Sequence, residues 1–192
     1  MEINAEGIII IAVSIIGAYY IYNYYANYGL ISVKSNIDNN EYIVQIKDDS
    51  REAANLIAKI REKLVILMTH LEKSYGKDDN RVKLLIKNFR PDRLKEGVST
   101  PGYTSYSVNK GEQIILCLRN NDKLIDINTL FFVVLHEFAH LATESIGHTE
   151  EFWDNFRWIL EEAINIGLYI KQEFKVKNVE YCGMTITSSP IE

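Results

Sequence analysis

The chain has little cysteine. Its two residues, Cys117 and Cys182, are isolated and form no C-x-x-C pair. That spacing speaks against a disulfide framework or a cysteine-built metal site, so free thiols are expected. Basic clusters are scarce as well. Lys and Arg total 21 against 26 Asp and Glu, giving a net charge of −5 and a pI near 5.5. Nucleic-acid binding draws on clustered Lys and Arg to neutralise phosphates, so a nucleic-acid partner is not expected. The short basic stretches at 83–87 and 90–95 read as solvated faces. Internal repeats, glycine-rich phosphate loops and low-complexity tracts are lacking too, which sets aside solenoids and nucleotide-binding P-loops.

Charge is absent from Gly7 to Val33, and Gly7 to Tyr22 is almost wholly apolar, beginning with four consecutive isoleucines. About 20 apolar residues suffice to span a bilayer. Tyr19, Tyr20, Tyr22, Tyr24, Tyr25 and Tyr28 would set phenolic rings at one interface. The expectation is a single transmembrane helix. A cleaved signal peptide would want a basic start, whereas Glu2 and Glu6 stand here without a small-residue cleavage site. The first basic residue after the stretch, Lys34, places the C-terminal part in the cytosol by the positive-inside tendency. The division that follows is an anchor over 1–31, a polar linker over 32–48 with a short strand at Tyr42 to Ile46, and one compact domain over 49–192.

Within that domain the periodicities predict an α+β fold, mainly helical with a small antiparallel hairpin. A long helix runs from Arg51 to Tyr75, capped by Asp49 or Ser50 and stopped by Gly76. Its inward stripe is Ala53, Ile57, Ile60, Leu64, Leu67 and Leu71, with His70 off the stripe at the surface. A short helix follows from Asn80 to Phe89, ended by Pro91. Tyr103 to Val108 and Gln113 to Leu118 flank Asn109-Lys110-Gly111, a hairpin signal. If the edge of its second strand faces a catalytic centre, Gln113, Ile115 and Cys117 become candidate substrate-binding residues through strand pairing. The C-terminal run Tyr181 to Thr187 has strand character, and its Met184 invites no Met-turn reading, because the longer histidine motif of that class is missing.

Three of the four histidines lie within thirteen residues, in His136-Glu137-Phe138-Ala139-His140 and, after Gly147, His148. On a helix, positions four apart share a face, so His136 and His140 can hold one ion at two corners of a tetrahedron. Glu137 can take a proton from the water that the metal activates. The helix that carries them is apolar on all sides from Leu130 to Leu135, and either Asp126 or Asn128 can cap it. Unpartnered polar groups in such a helix would cost roughly 2–7 kcal/mol each, and a shared zinc ion removes that cost.

A catalytic zinc usually keeps three protein ligands. His148 is the favoured third, because Gly147 can take the positive φ that turns the chain back after the helix ends near Thr143 to Ser145. The rivals Glu161 and Glu162 lie on the next helix, which is capped by Thr149 and runs from Glu150 to Leu168. Both point more than about 100° from its inward stripe of Phe152, Phe156, Ile159, Leu160 and Ala163. They read as solvated charges, with Arg157 and Glu161 an i,i+4 pair.

The run His136-Glu137-Phe138-Ala139-His140 followed by Gly147-His148 and, shortly after, Phe152-Trp153 resembles the WLM and SprT-like zinc metallopeptidases. The resemblance covers about Tyr103 to Leu168. It implies a compact minimal-zincin fold with Zn2+ on His136, His140 and His148, and Glu137 as general base. The step of eight residues from His140 to His148 differs from the shorter and longer steps usual in those families. Members are associated with cleaving proteins crosslinked to DNA, a task that the acidic charge and the expected anchor do not suit.

The function expected on these grounds is a membrane-anchored zinc endopeptidase acting on protein or peptide substrates. Tyr103, Tyr106, Tyr169 and Tyr181 are unranked candidates for stabilising the oxyanion. The alternative is a membrane-tethered, catalytically inactive binding module stabilised by zinc, against which the retained Glu137 speaks.

Overall fold

A computed structural model of the chain describes residues 5–26, 28–98 and 104–192. The apolar N-terminal stretch folds as helix α1 (Ala5–Ala26). It does not meet the transmembrane expectation: among the described residues no helix is long and apolar enough to cross a membrane. The anchor, and the single-pass membrane location built on it, are therefore withdrawn. Tyr22, Tyr24 and Tyr25 of the expected tyrosine belt lie outside the described side chains, and Tyr103 lies outside the described residues.

The segment expected to be a linker is part of the folded body. β1 (Leu30–Lys34) and β2 (Glu41–Gln45) pair antiparallel, Val33 opposite Tyr42. Tyr42 and Val44 alternate along β2 and bury 97% or more of their surface against α2 (Ser50–Tyr75). Ser35 donates to Asn55 on α2 at 3.0 Å, holding the hairpin's turn to the helix. The expected stripe of α2 is fully buried from Ala53 to Leu71, and Gly76 ends the helix at φ +81°.

Asp49 stands at the cap of α2 without capping it by side chain. Its carboxylate is taken by Arg119, whose Nη1 donates to both oxygens at 2.6 Å. The Nε of Arg119 donates to Glu96 at 2.8 Å, and the other oxygen of Glu96 accepts the Gln45 N–H at 2.7 Å. This ion triad, with Arg119 and Glu96 buried and Asp49 at the surface, joins α2, β2, β3 (Leu94–Glu96) and β6 (Arg119–Asn120). Breaking such a pair by removing one partner leaves a bare charge in the core.

Beyond α3 (Asn80–Asn88) lies a three-stranded sheet in the order β3, β5 (Gln113–Leu116), β4 (Tyr106–Val108). The β4–β5 pairing is the predicted hairpin, with Ser107 opposite Ile114. β3 adds in parallel on the far side, so the sheet is mixed and not purely antiparallel. After a small ribbon of β6 and β7 (Lys123–Leu124) come α4 (Ile127–Leu141) and α5 (Glu150–Asn165), which pack against each other. A final hairpin, β8 (Val179–Tyr181) and β9 (Met184–Ile186), closes the chain.

The two cysteines are not free thiols. Cys117, just past β5, is disulfide-bonded to Cys182 in the turn of the last hairpin, 65 positions away. The spacing of isolated cysteines carries no information about such a pairing. It arises because the hairpin docks on the sheet, where the Tyr181 hydroxyl donates to the Cys117 carbonyl at 2.9 Å.

Candidate metal centre

α4 begins where Asp126 accepts the N–H groups of Asn128 and Thr129 at 3.0 and 2.9 Å, which satisfies two of the donors a helix start leaves open. Leu130, Phe131, Val134 and Leu135 are fully buried, so the helix is fixed by packing on most sides. One face is left to the cleft, and on it Val133, His136, Glu137 and His140 follow at i, i+3, i+4 and i+7.

Neighbouring elements hold the end of α4. Asn88 of α3 donates to the Leu141 carbonyl at 2.9 Å. Asn155, buried on α5, donates to the Ala142 carbonyl and to Thr143 Oγ1 at 3.1 and 3.0 Å. The connecting loop is tied where it leaves the helix. Glu151 accepts the N–H groups of Glu144 and Ser145 at 3.0 and 3.1 Å, and Lys110 from the sheet hairpin donates to the carbonyls of Thr143 and Glu144. Gly147 sits at φ +85° with open space where a Cβ would be, so the backbone turn, not crowding, calls for glycine.

The turn carries His148 back to the helix. The three ring centroids form a near-equilateral triangle with sides of 5.0, 4.9 and 5.1 Å. Each imidazole offers a nitrogen, and the three nitrogens lie within 4.8 Å of one another. The Nε2 atoms of His136 and His148 stand 3.0 Å apart. A tetrahedral zinc with Zn–N bonds of about 2.0–2.1 Å sets its nitrogen ligands roughly 3.3 Å apart, so the donor set fits that ion.

Burial pushes His136 down to about 3, with the neighbouring imidazoles adding repulsion, and pushes His140 down to about 4. Both are neutral near pH 7, the form that binds a metal. Phe152 of α5 packs on all three rings at 4.9, 4.3 and 4.7 Å and excludes water from one side of the triad.

Glu137 is 6% exposed and reaches the same cleft. Burial raises its carboxyl to about 7, against the pull of hydrogen bonds with the side chain and backbone of Ser107 on β4. A carboxyl group balanced near neutrality can both take up and release a proton. The cleft itself, about 860 Å³, runs between α4, β4 with its flanks, the loop before His148, and β9 with the residues after it.

The other sequence candidates fall elsewhere. β5 is the central strand, with both edges paired, and Gln113, Ile115 and Cys117 do not line the cleft; the edge strand beside it is β4. Glu161 and Glu162 do not join the triad. Glu162 is not a solvated charge, because it accepts from His70 and Tyr75 at 2.5 Å each, which also makes His70 a half-buried link between α2 and α5. Arg157 pairs with Asp154 in place of Glu161.

Of the described tyrosine candidates, only Tyr106 lines the cleft. Tyr181 is buried and committed to Ser105 and the Cys117 carbonyl. Ser107, Lys110, Glu151 and Asn155 went unnoticed in the sequence. Only the placement of Phe152 four residues after His148 was a usable signal, as one turn of the helix that Thr149 caps.

Comparison with known proteins bears on the family and the fold. The family model described as WLM domain matches residues 36–190. An uncharacterized protein of Acanthamoeba polyphaga mimivirus is 34% identical over 161 residues, covering 80% of this chain and 81% of that protein. One from Invertebrate iridescent virus 6 is 28% identical over 160 residues, covering 78% and 85%. In fold, the chain is similar to the crystal structure of Wss1 from Saccharomyces cerevisiae, with a TM-score of 0.50, 21% identity, and coverage of 64% of this chain and 85% of that one. The match thus takes in the β1–β2 hairpin from its turn onward, both helices of the cleft and the last hairpin, and the chain belongs to the WLM-domain family of zinc metallopeptidases.

Proposed function

We propose that this chain is a zinc-dependent endopeptidase in which His136, His140 and His148 hold the metal and Glu137 moves the protons. The observation that carries the reading is the convergence of three imidazole nitrogens within 4.8 Å beside a buried carboxyl group in an open cleft. When bound, zinc supplies a Lewis acid that polarises a carbonyl and lowers the pKa of water to about 7.

The chain's own groups do the rest. Phe152 and the packing of α4 fix the imidazole rings. Glu137 takes the proton of the attacking water on a carboxylate oxygen and delivers it to the leaving amine nitrogen, a cycle suited to a group titrating near 7. Ser107 orients that carboxylate from β4. Because β4 is an edge strand beside the triad, an extended peptide can pair with it and present its carbonyl to the centre.

The test is cleavage of casein and of synthetic peptides by the full chain and by its Glu137→Gln variant. General acid–base catalysis contributes roughly 10²- to 10⁴-fold, and the variant is expected to lose that much. Equal cleavage by both would refute the role given to Glu137.

A further inference from the structure

Resting on the endopeptidase reading, we propose that the cleft selects substrates with a large apolar side chain directly beside the scissile bond, read by Val133, Met184, Ile186 and Ile146. The face of α4 that carries the triad supplies the first observation. Val133 lies three residues before the ligand His136, about 4.5 Å along the helix. An extended peptide advances about 3.4 Å per residue, so a side chain flanking the bond under attack falls within reach of Val133.

Phe132 beside it forms a firm floor, its ring packed at 5.4, 6.0 and 4.7 Å from those of Phe156, Tyr169 and Phe174. The facing wall is β9, which contributes Met184 and Ile186. That wall is fastened to the sheet by the disulfide at the turn immediately before it. At the lip, two residues before His148, Ile146 is 89% exposed, the most exposed large apolar side chain among those described. It contributes almost nothing to the core, and burial of its side chain awaits a partner.

Charge completes the case. Among the described residues that line the cleft, Lys110 and Glu137 are the only Lys, Arg, Asp or Glu. Lys110 is engaged by the carbonyls of Thr143 and Glu144. With Glu137 given over to proton transfer, an acidic or basic substrate side chain over the apolar floor would find no free counter-charge, and leaving it unpaired there is costly.

The test is equilibrium binding of fluorescent hexapeptides, identical except for a central Leu, Ser, Asp or Lys, to the full chain carrying Glu137→Gln. The Leu peptide should bind roughly 10- to 100-fold more tightly than the Asp and Lys peptides, the range expected for burying one such side chain. Ile146→Ser and Met184→Thr, added singly, should narrow that gap. Equal affinities, or no binding by any peptide, would overturn the proposal. Wild-type chain on the same peptides separates the two readings: cleavage without preference for Leu sinks the selectivity and leaves the endopeptidase standing, whereas Leu-selective binding without cleavage does the reverse.

Discussion

Asn155 on α5 reaches across to Thr143, just beyond α4, and its amide also serves the Ala142 carbonyl, at 3.0 and 3.1 Å. One side chain thus closes the end of the helix that holds two histidines and starts the loop that brings the third. An Asn155→Ala variant leaves a buried carbonyl without its donor and is expected to lose about 1–3 kcal/mol of stability. It should also weaken zinc affinity, because His148 is placed by that loop. Urea denaturation and competition with a fluorescent chelator would measure both; unchanged zinc affinity would show that the loop is held by other means.

The ion triad of Asp49, Glu96 and Arg119 should be the most sensitive point away from the cleft. Arg119→Ala strands Glu96, whose side chain is fully buried and whose carboxyl is already raised by burial. A loss of about 3–5 kcal/mol is expected. Replacing Glu96 and Arg119 together by Leu and Met should cost less than that single change, and a double variant less stable than Arg119→Ala would contradict the explanation.

Reduction of the disulfide should destabilise the chain by about 2–4 kcal/mol, since the bond closes a loop of 65 residues. The effect should reach the cleft as well, because β9 is its wall. Melting curves with and without a dithiol, repeated on Cys182→Ser, would show it. A melting temperature insensitive to the dithiol in wild type would count against the bond.

Stability should also fall with acid through Glu162. Burial would raise its carboxyl, but the hydrogen bonds from Tyr75 and His70 and the charge of Arg81 outweigh it and hold the group below its ordinary value. With the folded pKa below the unfolded one, this contribution is full above the usual glutamate range and is lost as pH falls through the folded value. Glu162→Gln should therefore flatten the decline in urea midpoint as pH falls below the ordinary glutamate range. Identical slopes for variant and wild type would rule the pair out as its source.

Local patterns in the sequence carried the helices well. The stripe of α2, the stop at Gly76, and the caps at Asp126 and Thr149 all depend on neighbours a few positions away, and each is present as the periodicity predicts. What depends on distant partners was not legible. Tyr42 and Val44 read as part of a linker because their burial needs α2 beneath them. Asp49 read as a cap because nothing local announces Arg119, 70 positions on.

The cysteine pairing and the engagement of Glu162 failed for the same reason. At the N-terminus, the uncharged apolar run predicts the helix, which is present as α1, but not a membrane span, since no described helix is long and apolar enough to cross one. In the cleft, the histidine spacing pointed to a shared ion, while the choice of β5 over β4 turned on strand order, which a hairpin signal does not encode.

The most direct measurement is the zinc content of the purified chain by elemental mass spectrometry, compared with His148→Ala after equilibration against a chelator of moderate affinity. About one zinc per wild-type chain, with the variant stripped under conditions where wild type keeps its ion, is the expected result. Wild type that retains no zinc, or a variant that holds it equally well, would contradict a centre built from His136, His140 and His148.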